Sequence, residues 1–255
     1  MHYSLVDTLP WAVALLVHLT LLFVLIGRGR WQQFPILTAW IAFSVARSLV
    51  LFFAYIHASK YWYTRIYDGG LWIDFALQFG LALEIARIVL RPTGTWVRDA
   101  RFRFAAGGIA GTAAAALLAW WVTPPASSTR LFWTIRGNLF TSLVICELFV
   151  LASLTANRLG LGWRNHVMAV GEGLTIWSSV TVVTTALQSF LGTQRLYLPL
   201  GRVSSITYIA AIAWITVQLW RQEPERQPLS PDLQEYILAL HKRVEYDLRR
   251  LDAGH

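Results

Sequence analysis

The sequence predicts an all-α, polytopic membrane protein: a seven-transmembrane-helix bundle followed by a C-terminal cytoplasmic amphipathic helix. Three observations carry that expectation. Of 255 residues, 56% are hydrophobic and only 14% charged, far less charge than keeps the surface of a soluble domain wet. Mean hydropathy is +0.48. The apolar residues are also collected into seven stretches close to the roughly 20 residues that carry a helix across a bilayer core, where the backbone must satisfy its own hydrogen bonds. Together these exclude a disordered chain, a collagen-like fibre and an ordinary soluble enzyme.

The first stretch runs from Leu9 to Ile26. No Lys or Arg precedes it and Arg28 and Arg30 follow it, so it reads as a span rather than a cleaved signal. Gly27-Arg28-Gly29-Arg30 ends it. The second runs from Pro35 to Ile56. The third, Leu71 to Leu90, opens after Asp68-Gly69-Gly70 and closes at Arg91-Pro92. The fourth, Phe104 to Val122, stops before Pro124-Pro125. Its Gly107, Gly111, Thr112 and the run Ala113 to Ala116 permit close helix approach, which places it inside the bundle or at a dimer seam. The fifth, Leu131 to Ala156, is closed by Asn157-Arg158. The sixth spans Val167 to Leu191, and the seventh, Val203 to Trp220, opens after Pro199.

Residues 1–221 thus form the transmembrane domain and residues 222–255 a cytoplasmic linker and helix. Glu223-Pro224-Glu225-Arg226-Gln227-Pro228 is the linker. Ser230 suits an N-cap and Pro231 the first helical position. Leu233, Ile237, Leu240, Val244, Leu248 and Leu251 then form a stripe at spacings of three and four, so the helix over 231–251 offers a face to a protein partner or to a second copy. Acids and bases alternate on its other face, which weakens a purely lipid-binding role.

Orientation follows from loop charge. One side collects fourteen Lys and Arg and the other five, which puts the N-terminus outside and the C-terminus in the cytoplasm of a cytoplasmic (inner) membrane. The pI of about 10.1 would suit nucleic acid, but the basic residues lie between apolar segments, so the partner they imply is the lipid bilayer. Tyr61, Trp62, Tyr63, Tyr67, Trp120, Trp121 and Trp220 fall where interface-anchoring aromatics belong.

Several chemistries are excluded. The lysines, Lys60 and Lys242, lie in a loop and the tail, so a buried Schiff base has no amine. His18, His57 and His166 sit at different depths, so no pair can hold a haem. No metalloprotease, nucleophile-elbow, phosphate-loop or dinucleotide pattern occurs in a suitable context. Cys146 is the lone cysteine. The chain is expected to carry no metal and no cofactor, and leans away from enzyme chemistry.

Seven ionisable residues fall inside the apolar stretches, where they are costly and mark function more often than chance would. Depth along antiparallel helices groups them. Asp74 and Arg136 form an outer pair. Glu84, Glu147 and Glu172 lie toward the inside, with Arg87 just below and Arg47 above, as a buried charge network. Glu84 and Arg87 share a helix face. Thr175, Ser178, Thr181, Thr185 and Gln188 line the sixth segment; Asn138, Thr141, Ser142 and Cys146 lead toward Glu147 on the fifth. Two readings remain open: the charges fix helix register, or they form a site for a cation, proton or polar ligand in the inner half.

Two stretches carry a resemblance. Leu83-Glu84-Ile85-Ala86-Arg87-Ile88-Val89-Leu90-Arg91-Pro92 is similar to an E-I-x-R-x-V-L-R-P segment, and Leu159-Gly160-Leu161-Gly162-Trp163-Arg164-Asn165-His166 to an L-G-L-x-W-R-N-H loop, of an uncharacterised family of bacterial seven-transmembrane-helix proteins. The resemblance implies fold and membrane location, and no activity. It points to Glu84, Arg87, Arg164 and His166. The Trp163–His166 loop either caps the inner carboxylates or is a tight loop anchored by Trp163.

The functional expectation is a non-enzymatic sensor or receptor-like module, or an accessory subunit of a membrane complex. The alternative is a proton- or cation-coupled small-molecule transporter using Glu84, Glu147 and Glu172.

Overall fold

Long apolar runs that must satisfy their own backbone become helices, and the described residues are helical apart from short turns at 28–29, 33–34, 58–59 and 221–222. The structure, a computed structural model, describes residues 5–90, 98–122, 129–158, 165–191 and 194–222. The chain divides into two units, Met1–Gln222 and Glu223–His255; the second, with the amphipathic helix expected over 231–251, lies outside the described residues.

The described residues of the first unit form seven α-helices: α1 (Leu5–Gly27), α2 (Pro35–His57), α3 (Lys60–Leu90), α4 (Arg98–Val122), α5 (Thr129–Arg158), α6 (Asn165–Leu191) and α7 (Gln194–Trp220). No strand occurs among the described residues. All but α3 are long and apolar enough to cross a membrane. A 3-10 turn, Arg30–Gln32, joins α1 to α2, entered through Gly29 at φ 66, a left-handed conformation that residues with a Cβ rarely adopt.

Two expected helix starts are corrected. Asp68-Gly69-Gly70 does not open α3; the helix runs through it from Lys60. Isolated helix glycines cost only about 1 kcal/mol each, and Gly70 is where the Arg47 side chain lies against the α3 backbone. Pro199 does not precede α7 but lies inside it. It is the sixth residue of the helix, past the first turn, so it removes one i→i−4 backbone bond there.

The helices pack as α1–α2–α3–α5–α6–α7 and back to α1, with α4 outside this ring against α5. Of the two places expected for α4, the interior of the bundle is thereby corrected: Ile109, Leu117 and Trp121 are exposed. Its small residues serve the α5 contact, where Gly107 meets Leu151 and Gly111 meets Glu147.

Contacts identify the two ends of the ring. The start of α2 meets the finish of α3 through Glu84. The start of α6 meets the finish of α7 through His166 and Arg221, and Arg28 after α1 lies over Trp220. We call this end lower. At the upper end Trp11 of α1 stacks on Phe52 of α2, and Arg136 of α5 meets Trp120 of α4.

The lower half is a dry core. Leu21, Val24 and Leu25 of α1 pack with Phe34, Leu37 and Ile41 of α2 and its approach, Leu81 and Ile85 of α3, Val144 and Leu148 of α5, Val170 and Leu174 of α6, and Ile212, Ile215 and Leu219 of α7. Each is largely or wholly removed from the surface. The upper half is built differently.

Candidate functional site

On α2 the residues Trp40, Ser44, Arg47, Ser48 and Leu51 recur at intervals of three and four, so they share one face. On α1 the same holds for Pro10, Trp11, Ala14 and His18, and on α3 for Asp74 and Gln78. These faces converge with Asn138 of α5, Trp177 of α6, and Ser204, Ser205, Tyr208 and Ile209 of α7 around a cavity of about 470 Å³. All six ring helices contribute and α4 does not. In five of the six the cavity residues lie above the core residues, and on α2 Trp40, a member of both, marks the boundary.

A charge pair stands in the wall. Arg47 Nη1 lies 3.8 Å from Asp74 Oδ2, with the side chains 19% and 16% exposed. That separation gives charge attraction without a hydrogen bond. The Asp74 oxygens are occupied otherwise: the Trp40 indole N–H donates to Oδ1 at 2.8 Å, and Gln78 Nε2 donates to Oδ2 at 2.8 Å. The guanidinium also faces the Tyr67 ring at 5.4 Å, while Arg47 Nε is buried with no hydrogen-bond partner among the described residues.

Across the cavity, His18 Nδ1 lies 2.6 Å from the Ala14 carbonyl and Nε2 lies 2.6 Å from the Tyr208 hydroxyl. A carbonyl only accepts, so Nδ1 carries a proton; in the neutral ring Nε2 then accepts from Tyr208. Tyr208 also anchors an aromatic corner. Trp177 lies 5.0 Å from it at an interplanar angle of 60°, and Trp40 lies 6.3 Å away at 75°. Thr181 and Ser204 share a 2.9 Å bond between α6 and α7 beside it.

The residues singled out in the sequence fall into separate places. Arg47 and Asp74 come together, in the upper half. Arg136 does not pair with Asp74. Its guanidinium lies 3.8 Å over Trp120 and 4.2 Å over Phe132, and Nη2 donates to the Trp120 carbonyl at 3.2 Å. The reason is the true start of α3. Asp74 stands fourteen residues in, about 21 Å along the axis, deeper than a helix beginning at Leu71 implies, and so level with Arg47.

The inner network is likewise distributed. Glu84 accepts the backbone N–H groups of Ile36 and Leu37 at 2.8 and 3.0 Å. Glu147 lies against Gly111 between α5 and α4, with Oε2 buried and no partner among the described residues. Glu172 is half-buried on α6 and Arg87 is exposed on α3. No hydrogen bond joins the three glutamates to one another among the described residues. His166 is buried and bonds the Arg221 carbonyl at 3.1 Å; Trp163 and Arg164 lie outside the described residues.

Sequence reasoning missed the cavity's neutral members: Trp40, Gln78, Trp177, Tyr208 and the serines. The signal was present on α2, where Ser44, Arg47 and Ser48 line up with Trp40. Among the described residues, no group of three His, Cys, Asp or Glu side chains is arranged to hold a metal. The chain matches no family model, no curated protein and no solved structure.

Proposed function

We propose that this multi-pass membrane protein is a receptor-like sensor or accessory module that binds a small polar molecule in the upper cavity. The observation that carries the reading is the division of the ring: a cavity of about 470 Å³ whose wall mixes polar, charged and aromatic side chains stands above a largely apolar core. That volume lies within the roughly 300–1,000 Å³ of small-molecule sites. A membrane interior holds a separated charge pair at a cost, and Arg47 and Asp74 stand beside space that a ligand fills.

In this reading α3 crosses with the other six helices. Its charges face the cavity through Asp74 and the α2 start through Glu84. The excess of Lys and Arg in the lower loops supports an outer position for the cavity. The segment 231–251 then lies in the cytoplasm, where its apolar stripe meets a partner. The transport alternative requires a path past Leu25, Phe34, Leu37 and Ile41, each at most 2% exposed, so the packing favours one-sided access.

Thiol labelling tests the reading. In a C146A background, S48C is expected to react with a membrane-impermeant thiol reagent applied outside intact cells, and I85C to stay protected. A protected S48C thiol, or one labelled only from the cytoplasmic side, overturns it.

A further inference from the structure

The lower rim carries cations that neither the cavity nor the core uses. Arg28 follows α1 directly and Arg221 follows α7 directly, and these two helices are neighbours in the ring. The Arg28 guanidinium lies 4.5 Å from the centre of the Trp220 ring, and Arg28, Trp220 and Arg221 are all exposed. A guanidinium over an indole is held by its face, so its in-plane N–H edge stays available. Among the described residues no hydrogen bond uses the Arg28 side chain, and neither arginine has an acidic partner. Arg47, by contrast, has Asp74, and Arg136 is closed in by Trp120 and Phe132. Room is present as well: a Cβ on Gly27 or Gly29, on either side of Arg28, would touch nothing within 4 Å.

Charge and surface define the occupant. Both helices end here, and a helix C-terminus places only about half a negative charge beside each cation, so positive charge stays in excess. A phosphodiester offers two oxygens to the guanidinium edge. Above the cations the outward faces are apolar. Leu19, Phe23 and Ile26 recur on α1 at spacings of four and three, and Trp214, Val217 and Trp220 on α7 at spacings of three, all exposed. Each set shares one helix face, and in a bilayer such faces meet acyl chains. A soluble anion gains nothing from them, whereas a phospholipid joins both features in one molecule. In a zwitterionic headgroup an ammonium accompanies the phosphodiester and is repelled by the second arginine, so the excess favours a headgroup of net negative charge.

We propose that the lower rim between the ends of α1 and α7 is a binding site for one anionic phospholipid, with the phosphodiester on the Arg28 guanidinium, the net charge matched by Arg221, and the acyl chains on the outward faces of the two helices. Trp220 is a positioning residue here: it fixes the guanidinium without using its N–H groups. The site is independent of the upper cavity and of which solution the lower rim faces.

Native mass spectrometry of the purified full-length protein in detergent reads the inference. The probes are palmitoyl-oleoyl phosphatidylglycerol and palmitoyl-oleoyl phosphatidylcholine in equal amounts, which share chains and phosphodiester and differ in net charge. Wild type is expected to retain a first phosphatidylglycerol about tenfold more than phosphatidylcholine, the worth of one charge-assisted contact. R28Q/R221Q is expected to bring that ratio to within about twofold, and K60Q/R65Q, at exposed positions of the upper end, to leave it unchanged. Equal retention of the two lipids by wild type, or a preference that R28Q/R221Q keeps, overturns the site. A preference lost equally in K60Q/R65Q overturns it too, since that is the mark of overall charge alone. Inorganic phosphate in large excess is expected to leave phosphatidylglycerol bound; displacement by it overturns the lipid assignment in favour of a plain anion.

Discussion

Glu84 and Leu37 are joined by a buried hydrogen bond of 3.0 Å, from the backbone N–H at the start of α2 to a carboxylate on α3. The neighbouring N–H of Ile36 reaches the other carboxylate oxygen at 2.8 Å. Helix starts leave such donors without intrahelical partners, and Phe34, at the capping position, offers no side-chain acceptor. Pro35, next in line, has no N–H to satisfy. A carboxylate from another helix therefore does the capping, and it suits the positive end of the helix dipole.

Removing that carboxylate strands two donors in the dry half. E84A is expected to lose about 2–4 kcal/mol and E84Q less, since one amide oxygen still accepts. Thermal unfolding in detergent, followed by helical circular dichroism, is expected to rank wild type above E84Q above E84A. A wild-type midpoint in E84A would show that the cap carries no stability.

Arg47 and Asp74 are each other's charge partner. D74N and R47Q each leave one charge alone inside the bundle, at about 3–5 kcal/mol. The double variant R47Q/D74N is expected to be more stable than the sum of the single losses predicts, with a coupling of at least about 1 kcal/mol. Strict additivity in denaturation experiments would show that the pair does not interact.

Gly111 and Glu147 share one space, since a Cβ on Gly111 would land on the carboxylate. G111A is expected to loosen α4 from α5 by about 1–3 kcal/mol, and E147A, by vacating the space, to return most of that loss in the double variant. Proteolytic susceptibility of the α4–α5 connection, compared across the four proteins, checks it.

Tyr208 and His18 tie α7 to α1 at 2.6 Å. Y208F keeps the tilted ring contact with Trp177 and removes only the hydroxyl. Its expected cost is about 1–2 kcal/mol, and hydrogen exchange is expected to speed up in the upper turns of α1 while the lower half, Leu21 to Leu25, keeps its protection. Uniform acceleration along α1 would contradict a local tie.

Much of this architecture is legible before any coordinates. Each of the seven expected stretches falls within a described helix, six of them long and apolar enough to cross a membrane, and the α2 start at Pro35 coincides with expectation. What misleads are local break signals: Gly69-Gly70 and Pro199 read as ends because propensity is a weak prior that packing overrides. That shift in the start of α3 displaces Asp74 and pairs it on paper with Arg136 instead of Arg47. The carboxylates were legible as unusual but not as to role, because nothing in the spacing of Glu84 reveals that it meets a backbone some forty-eight residues earlier in the chain. Likewise Trp40 and Tyr208 look like any apolar aromatics until their helices are brought together.

The stacked apolar layers at Leu25, Phe34, Leu37 and Ile41 also have an electrical meaning. In an energised bilayer the voltage falls across whatever excludes water, and moving one elementary charge through the full drop is worth about 2.3 kcal/mol per 100 mV. If the cavity opens to one solution as proposed, a hydrated chamber around Arg47 would stay near that solution's potential. Solutes arriving there would traverse little of the field, so occupancy would track their concentration and be nearly blind to whether the cell is charged or depolarised.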